Sequence, residues 1–515
     1  MTVDKIIITN LSALKEKYNK RVSLIIKAID RLIAADKKRG IETKFVAIDS
    51  AADMKGIKCP VVKEMDNQRD VKTAVDAVFK AYHPDYIMIL GAPDIIPHQE
   101  LKNPAYDPDG DDDKVIPSDI PYACEKPYSK DPGKFLGPTR VIGRLPDLLG
   151  VNDPSYLVSL LGTAARYKSR ARTDYQKYFS VTADEWKEST SLSLTKLFGS
   201  STDMAASPPK GPAWSSSQLS KRVHFLNCHG SLSDPNFYGQ KGSKYPVAHS
   251  AEKLVKKINN GTVVAAECCY GAELYDPADS DMQSGICSAY LRDGAYGYFG
   301  SSTIAYGPSE GNGQADLICQ YFLEEVLNGS SLGEAALRAR HRFSGAYTHL
   351  DPVDLKTAVQ FNLLGDPSIH AVQAVSHGFS KTKTYKKVFD KHQNSRGTRL
   401  LRREKLAQTG TNLSATLGAV KKINEKIPPN AEKALRMAAK ESGILNFSTQ
   451  SYSLNFPANA SKSNMQKFDS ARKGRNIHMI IGNRDLPKGA PGRIVAIVGT
   501  WQDGKLMHMR RIHSR

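Results

Sequence analysis

The chain has 515 residues, with 72 Lys+Arg against 53 Asp+Glu and a formal net charge of +19. At roughly 100–200 residues per domain this length corresponds to about two to four domains. With 40% apolar and 24% charged residues the composition is globular, which excludes wholesale disorder, and no apolar run reaches the roughly 18 residues that a membrane-spanning helix needs.

The first 100 residues alternate short apolar runs with longer amphipathic ones. Lys5–Thr9, Thr43–Ile48 and Tyr86–Leu90 read as strands, with helix-period stretches over about 12–38 and 69–82. Residues 101–138 are rich in Pro and Asp, include DPDGDDD (107–113), and read as a long loop leading into Arg140–Pro146. A helix over about 154–171 and a short strand over Tyr178–Thr182 follow. After a Ser/Pro/Gly-rich stretch at 199–219 the alternation resumes. Strands are expected over Val223–Asn227, Thr262–Ala266 and Tyr296–Gly300, and helices near 249–259, 313–328 and 332–342. Strand–helix alternation with apolar strands points to a mostly parallel sheet with helices on both faces, an α/β fold that carries ligands at the carboxyl ends of its strands.

The charge is segregated. Residues 1–375 carry 44 Lys+Arg and 45 Asp+Glu, whereas residues 376–515 carry 28 and 8. Residues 1–150 are therefore expected to form an N-terminal α/β subdomain and 151–375 a catalytic subdomain. A basic linker is expected over 376–410, with KTKTYKK and RGTRLLRREK, and a small basic α+β domain over 411–515. In the last of these, 412–441 reads as helical and Asp503-Gly504 as the turn of a β-hairpin. A net +20 over 140 residues would attract nucleic acid or another polyanion, though a solvated face explains it as well.

Two segments share one pattern, an apolar strand ending in a reactive residue with glycine close behind. Val223–Asn227 runs into Cys228-His229-Gly230-Ser231, and Thr262–Ala266 into Glu267-Cys268-Cys269-Tyr270-Gly271. If both strands are parallel, a histidine and a cysteine meet at one sheet edge. That is the arrangement thiol catalysis needs: a partner for the thiol and backbone N–H groups for an oxyanion. Alternation along the strand sends Glu267 and Cys269 to one side and Cys268 to the other, favouring Cys269 as nucleophile over Cys268. The same four residues could instead ligate zinc, but adjacent residues on a strand converge poorly on one ion.

These segments resemble the His-Gly and Cys motifs of caspase-like cysteine peptidases. Glu267–Gly271 is similar to the Gln-Ala-Cys-Arg-Gly of caspases and the Glu-Ala-Cys of legumains. Three more segments, YIMILGAPDIIP (86–97), Ser118–Pro146 and FNLLGDPSI (361–369), resemble the gingipain-type family, the likeness covering about 85–370. The resemblance implies a caspase-like fold, a cysteine endopeptidase with Cys269 and His229 as its dyad, and an oxyanion hole from the N–H groups of Gly230 and Cys269. It implies a primary specificity pocket drawing on Glu267, on Asp184 and Glu185 after the strand at 178–182, and on Ser301 and Ser302. A carboxylate there selects Arg or Lys, and cleavage within the basic linker would be self-processing. Cys268 departs from the small residue usual at that position.

No organic cofactor is implied. Asp107, Asp109 and Asp111 form a calcium candidate without an EF-hand's spacing or closing Glu. The seven cysteines make a poor disulfide framework and the opening MTVDKIIITN lacks a signal-peptide core, so a cytoplasmic peptidase acting on protein or peptide substrates is expected. The alternative is a catalytically inert scaffold of the same fold whose basic domain binds nucleic acid.

Overall fold

The computed structural model describes residues 3–308, 310–373, 396–455, 475–484 and 493–515. Its centre is a ten-stranded sheet. Across it run Thr43–Ala47, Lys5–Thr9, Tyr86–Leu90, Ile142–Leu145, Phe361–Gly365, Gly297–Ser301, Val263–Ala266, Val223–Asn227, Tyr178–Ala183 and Met204–Ser207. Apart from the two outermost strands every residue in these strands is buried, so both faces are covered. Continuous apolar runs such as KIIIT and YIMIL are what such a position demands.

Each neighbouring pair is parallel except one. Phe361–Gly365 runs antiparallel to Gly297–Ser301, with Phe361 opposite Ser301, and parallel to Ile142–Leu145. The sheet therefore consists of two parallel halves of opposite direction joined at that pair. Only the half containing Val223–Asn227 and Val263–Ala266, which pair in parallel from Val223↔Val263 to Leu226↔Ala266, presents its carboxyl ends to the site described below.

Most helices form where amphipathic periodicity placed them and are capped locally. Asn10 accepts from Ala13 N at the start of Leu11–Tyr18, and Ser331 with Glu334 closes a capping box on Leu332–Gly345. Lys5, fully buried at the start of the first strand, pairs with Asp36 of Val22–Lys38 at 3.0 Å and with Asp366 in the turn after Phe361–Gly365. One ammonium thus ties the first strand to a covering helix and to the chain that closes the sheet.

Three local readings are corrected. The helix expected at 249–259 is a strand, Val247–Ser250, followed by a turn of 3₁₀ helix at Glu252–Leu254; Val247–Ser250 pairs antiparallel with Asn236–Tyr238, and that partner overrides helical propensity. The helical reading of 412–441 splits into the end of a helix Arg396–Thr416, a strand Gly418–Ile423 and a helix Pro429–Glu441. Arg396–Thr416 runs straight across position 410. It is docked rather than free: Arg399 pairs with Asp4 at 3.0 Å and Asp85 at 3.1 Å, Arg402 with Glu334 at 3.5 Å, and Arg403 with Asp85 at 3.4 Å. RGTRLLRREK thus spends much of its charge on the acidic residues of the preceding part of the chain, while KTKTYKK lies outside the described residues.

The remainder forms the expected α+β unit. A seven-stranded sheet runs in the order Tyr306–Pro308, Lys505–Ser514, Ile494–Gln502, Arg475–Arg484, Ile444–Asn455, Gly418–Ile423, His349–Leu350. The Asp503-Gly504 hairpin is present, with both residues at positive φ. Both outer strands, Tyr306–Pro308 and His349–Leu350, come from the first part of the chain, so the two units share one sheet. Among the described residues no helix is long and apolar enough to cross a membrane.

Candidate active site

The two parallel strands deliver His229 and Cys269 to the same edge. Gly230 explains how closely they approach: a Cβ built on it would fall 1.8 Å from the Cys269 carbonyl oxygen, so no other residue fits beside His229 without moving that backbone. Beyond Cys269 the chain turns sharply. Tyr270 adopts φ 52°, its N–H donates to Thr303 O at 3.0 Å, and Ala272 N donates to Ser301 O at 2.7 Å. The Cys269 thiol faces the loop that follows Gly297–Ser301, accepting from Ala305 N at 3.2 Å and donating to Ala305 O at 3.5 Å. Cys268 points into the core, toward Leu226 O at 3.9 Å, and Cys228 toward Val181 O at 3.7 Å. Among the described residues no group of three or more His, Cys, Asp or Glu is placed to hold a metal ion.

His229 is fully buried, against Trp186 at 4.2 Å and Tyr245 at 5.4 Å between ring centres. Its Nε2 lies 2.7 Å from Gln240 Oε1. The Gln240 amide is oriented by donating to Gly242 O and to the Tyr245 hydroxyl, each at 3.1 Å. Its oxygen must then face His229, so Nε2 carries the proton and Nδ1, which has no hydrogen-bond partner, keeps its lone pair. Burial pulls the His229 pKa down to about 3 and pushes the Cys269 thiol up to about 12. Both groups are neutral in this dry arrangement.

The cleft between them is filled by Arg515. Its backbone oxygen accepts from Gly230 N at 3.5 Å and Cys269 N at 3.3 Å, and its N–H donates to Ala305 O at 2.9 Å. Its guanidinium reaches Asp316 with Nη2 at 2.9 and 3.0 Å from the two carboxylate oxygens, donates to Pro308 O at 3.0 Å, and lies 4.2 Å from the Trp186 ring centre. Gly307 forms the wall, since a Cβ there would sit 2.1 Å from Nη2. Glu267, fully buried, lies beside Asp316; burial, then the Asp316 charge, raise its pKa well above the ordinary carboxylate value.

The anticipated pocket residues are distributed differently. The carboxylate on the guanidinium is Asp316, in the first turn of Gln314–Leu327, where the helix N-terminus favours its charge. Asp184 instead pairs with Lys187, and Glu185 accepts from Gly242 N at 2.9 Å. The turn after Tyr178–Ala183 contributes Trp186. Ser301 Oγ donates to Thr303 O at 2.8 Å and Ser302 Oγ to Pro117 O at 2.6 Å, so both brace the loop that carries Ala305.

The Asp-rich turn serves the same loop. Asp107 accepts from Asp109 N, Ser448 and Gln450, while Asp111 accepts from Lys356 Nζ at 2.5 Å and Tyr306 Oη at 2.9 Å. Asp113 accepts from Tyr270 Oη and Ile304 N, both at 2.9 Å. The Lys356 ammonium thus supplies the cation for Asp111 and, at 3.4 Å, for Asp113, and these two brace the residues flanking Cys269 and Ala305, while Asp107 holds Ser448 and Gln450 of the seven-stranded sheet. Gln240, Trp186, Gly307 and Asp316 were missed by sequence reading. An Asp in a helix's first turn reads as ordinary end-charge, and Gln240 lies in a short hairpin loop without periodicity.

A buried thiol and a singly donating imidazole thus stand at neighbouring strand ends, with two N–H groups converging on one backbone oxygen. The chain belongs to peptidase family C25, the gingipain family of cysteine peptidases, whose family model matches residues 2–372. It is thus a hydrolase of the cysteine-peptidase class with protein substrates. Among solved structures, one described as "Structure of Protease" is 12% identical, covering 99% of this chain and 97% of that one with a TM-score of 0.46. Two Saccharomyces cerevisiae separase–securin complexes are 15% and 13% identical over 44% and 45% of this chain and 14% of theirs, with TM-scores of 0.29 and 0.27. No curated protein matches the sequence.

Proposed function

We propose that the chain is a cysteine endopeptidase cutting after arginine, with Cys269 as nucleophile and His229 as its proton acceptor and donor. The observation that carries the reading is the seat of Arg515, whose carbonyl oxygen meets two N–H donors while its guanidinium meets a buried carboxylate. In the reaction the Cys269 thiol passes its proton to His229 Nδ1 as sulfur attacks the scissile carbonyl carbon. The oxyanion accepts from Gly230 N and Cys269 N, and the imidazolium, held by Gln240, protonates the departing amine. Water then attacks the thioester with the same imidazole as base, releasing the new carboxylate and the thiol. An imidazole in this role contributes roughly 10²–10⁴ in rate, and each oxyanion donor roughly 10²–10³.

Arg396, exposed at the start of the docked helix, is the position in the basic linker that fits this specificity, so self-processing there belongs to the same proposal. The seven cysteines, all free thiols, suit a reducing compartment such as the cytoplasm. Labelling by a peptidyl acyloxymethyl ketone ending in Arg tests the reading on the parent and on Cys269→Ala, Cys268→Ala and His229→Ala. Loss of labelling with the Cys269 and His229 changes alone is expected; preferential labelling by an Asp-ended analogue overturns the specificity. An intact mass shared by the parent and Cys269→Ala after incubation overturns self-processing.

A further inference from the structure

Arg515 is the end of a longer contact. The strand Lys505–Ser514 pairs antiparallel with Tyr306–Pro308, in the register Tyr306↔Ser514, Gly307↔His513 and Pro308↔Ile512. Tyr306–Pro308 follows directly on Ala305, the residue bonded both to the Cys269 thiol and to the Arg515 N–H. The segment therefore enters the cleft as an added strand, with main-chain bonds setting its register and one side chain filling the pocket. Arg515 is fully buried. What stays open beside His229 is a cavity of about 50 Å³ lined by Glu185, Trp186, Gln240, Arg484, His513 and Ser514, room for a few waters and far too small for another arginine.

We propose that residues 505–515 are a built-in competitive inhibitor of this peptidase: the strand holds Arg515 in the arginine pocket and its carbonyl in the oxyanion hole, so a substrate enters only when that end of the strand lifts. The inference rests on the arginine-specific reading above. The opposite edge of Lys505–Ser514 is paired with Ile494–Gln502 over most of its length, which keeps the segment tethered beside the cleft. The inhibitor is thereby held at the high effective concentration of an intramolecular ligand. A partner that draws on the basic unit carrying this strand would act on the peptidase without touching the catalytic residues.

The test uses the full chain, as parent, Arg515→Ala and Arg515→Lys, with the labelling rate of Cys269 by a short arginyl acyloxymethyl ketone as readout. Apparent reactivity scales with the fraction of molecules whose cleft is open, so a strand seated nine-tenths of the time slows labelling about tenfold. Arg515→Ala is expected to label about ten times faster than the parent or more, with Arg515→Lys between them. Equal rates for parent and Arg515→Ala overturn self-inhibition and leave the peptidase reading standing; absence of labelling in both overturns that reading and the inference with it. A second measurement avoids catalysis. In a Cys269→Ala background, Trp fluorescence, reporting on Trp186, should follow binding of N-acetylarginine methylamide at least tenfold more tightly in Arg515→Ala than with Arg515 present. Equal affinities overturn the proposal.

Discussion

Replacing Asp316 by asparagine keeps the shape of the pocket and removes its charge. Both Asp316 oxygens accept from one guanidinium nitrogen, at 2.9 and 3.0 Å, in a site with no exposure. Truncating one partner of a buried, hydrogen-bonded charge pair costs about 2–5 kcal/mol, or roughly 30- to 3,000-fold at 1.4 kcal/mol per decade. Glu267 limits the loss from above. It stands beside Asp316, and burial followed by the Asp316 charge raises its pKa well above the ordinary carboxylate value. Removing that charge lets Glu267 ionise when an arginine enters, so Asp316→Asn should lose about 10²-fold and Asp316→Asn/Glu267→Gln about 10³-fold. The assay is kcat/KM for a peptide ending in Arg against the same peptide ending in citrulline, its neutral isostere. The ratio within each variant cancels any change in how often Arg515 vacates the pocket. The parent should strongly prefer Arg, the double variant should not discriminate, and an Arg preference surviving intact in the double variant refutes the pocket assignment.

Gln240→Leu removes the acceptor that fixes the His229 tautomer, so kcat should fall about 10- to 100-fold with KM little changed. Gln240→Glu should move the acid limb of the pH–rate profile upward, because a carboxylate beside His229 favours imidazolium. Gly307→Val places side-chain atoms where the guanidinium lies, and should raise KM for Arg substrates at least tenfold while a glycine-ended active ester is still turned over. Stability should fall with acid. His224, fully buried between Tyr290 and the Lys221 carbonyl, is held at a pKa of about 3 by burial. Its folded pKa lies below its unfolded value, so the unfolded chain takes the proton first and stability is lost as pH drops below about 6.5. By pH 4.5 that one residue costs about 2–3 kcal/mol, so His224→Gln should narrow the gap in denaturation midpoint between pH 7 and pH 4.5. An unchanged gap would refute the assignment.

The strands that carry Cys269 and His229 were legible because burial on both faces demands uninterrupted apolar runs, and a reactive residue followed by glycine stands out at their ends. The reversal of direction at Phe361–Gly365 was not, because an apolar run carries no sign of which way it points. The pocket divides the same way. Glu267 came into view through the resemblance to caspase and legumain motifs, whereas Asp316 reaches the guanidinium only because its helix starts behind the strands that carry Cys269 and His229, a relation set by packing. The calcium candidate Asp107, Asp109 and Asp111 shows the converse for Asp111. Their clustering suggested a cation, but the cation is Lys356, brought from far along the chain.

The shared seven-stranded sheet has a consequence for how such a protein can change. A unit joined through one flexible tether can be lost, swapped or duplicated as a cassette. Here the basic unit is closed at each margin by a strand that the catalytic part supplies, Tyr306–Pro308 on one side and His349–Leu350 on the other. Excising it would strip Tyr306–Pro308 of its partner immediately beyond Ala305 and leave a bare strand edge open to pairing with other chains. The two parts are therefore expected to melt in one cooperative transition and to diverge in sequence together, as one inherited unit.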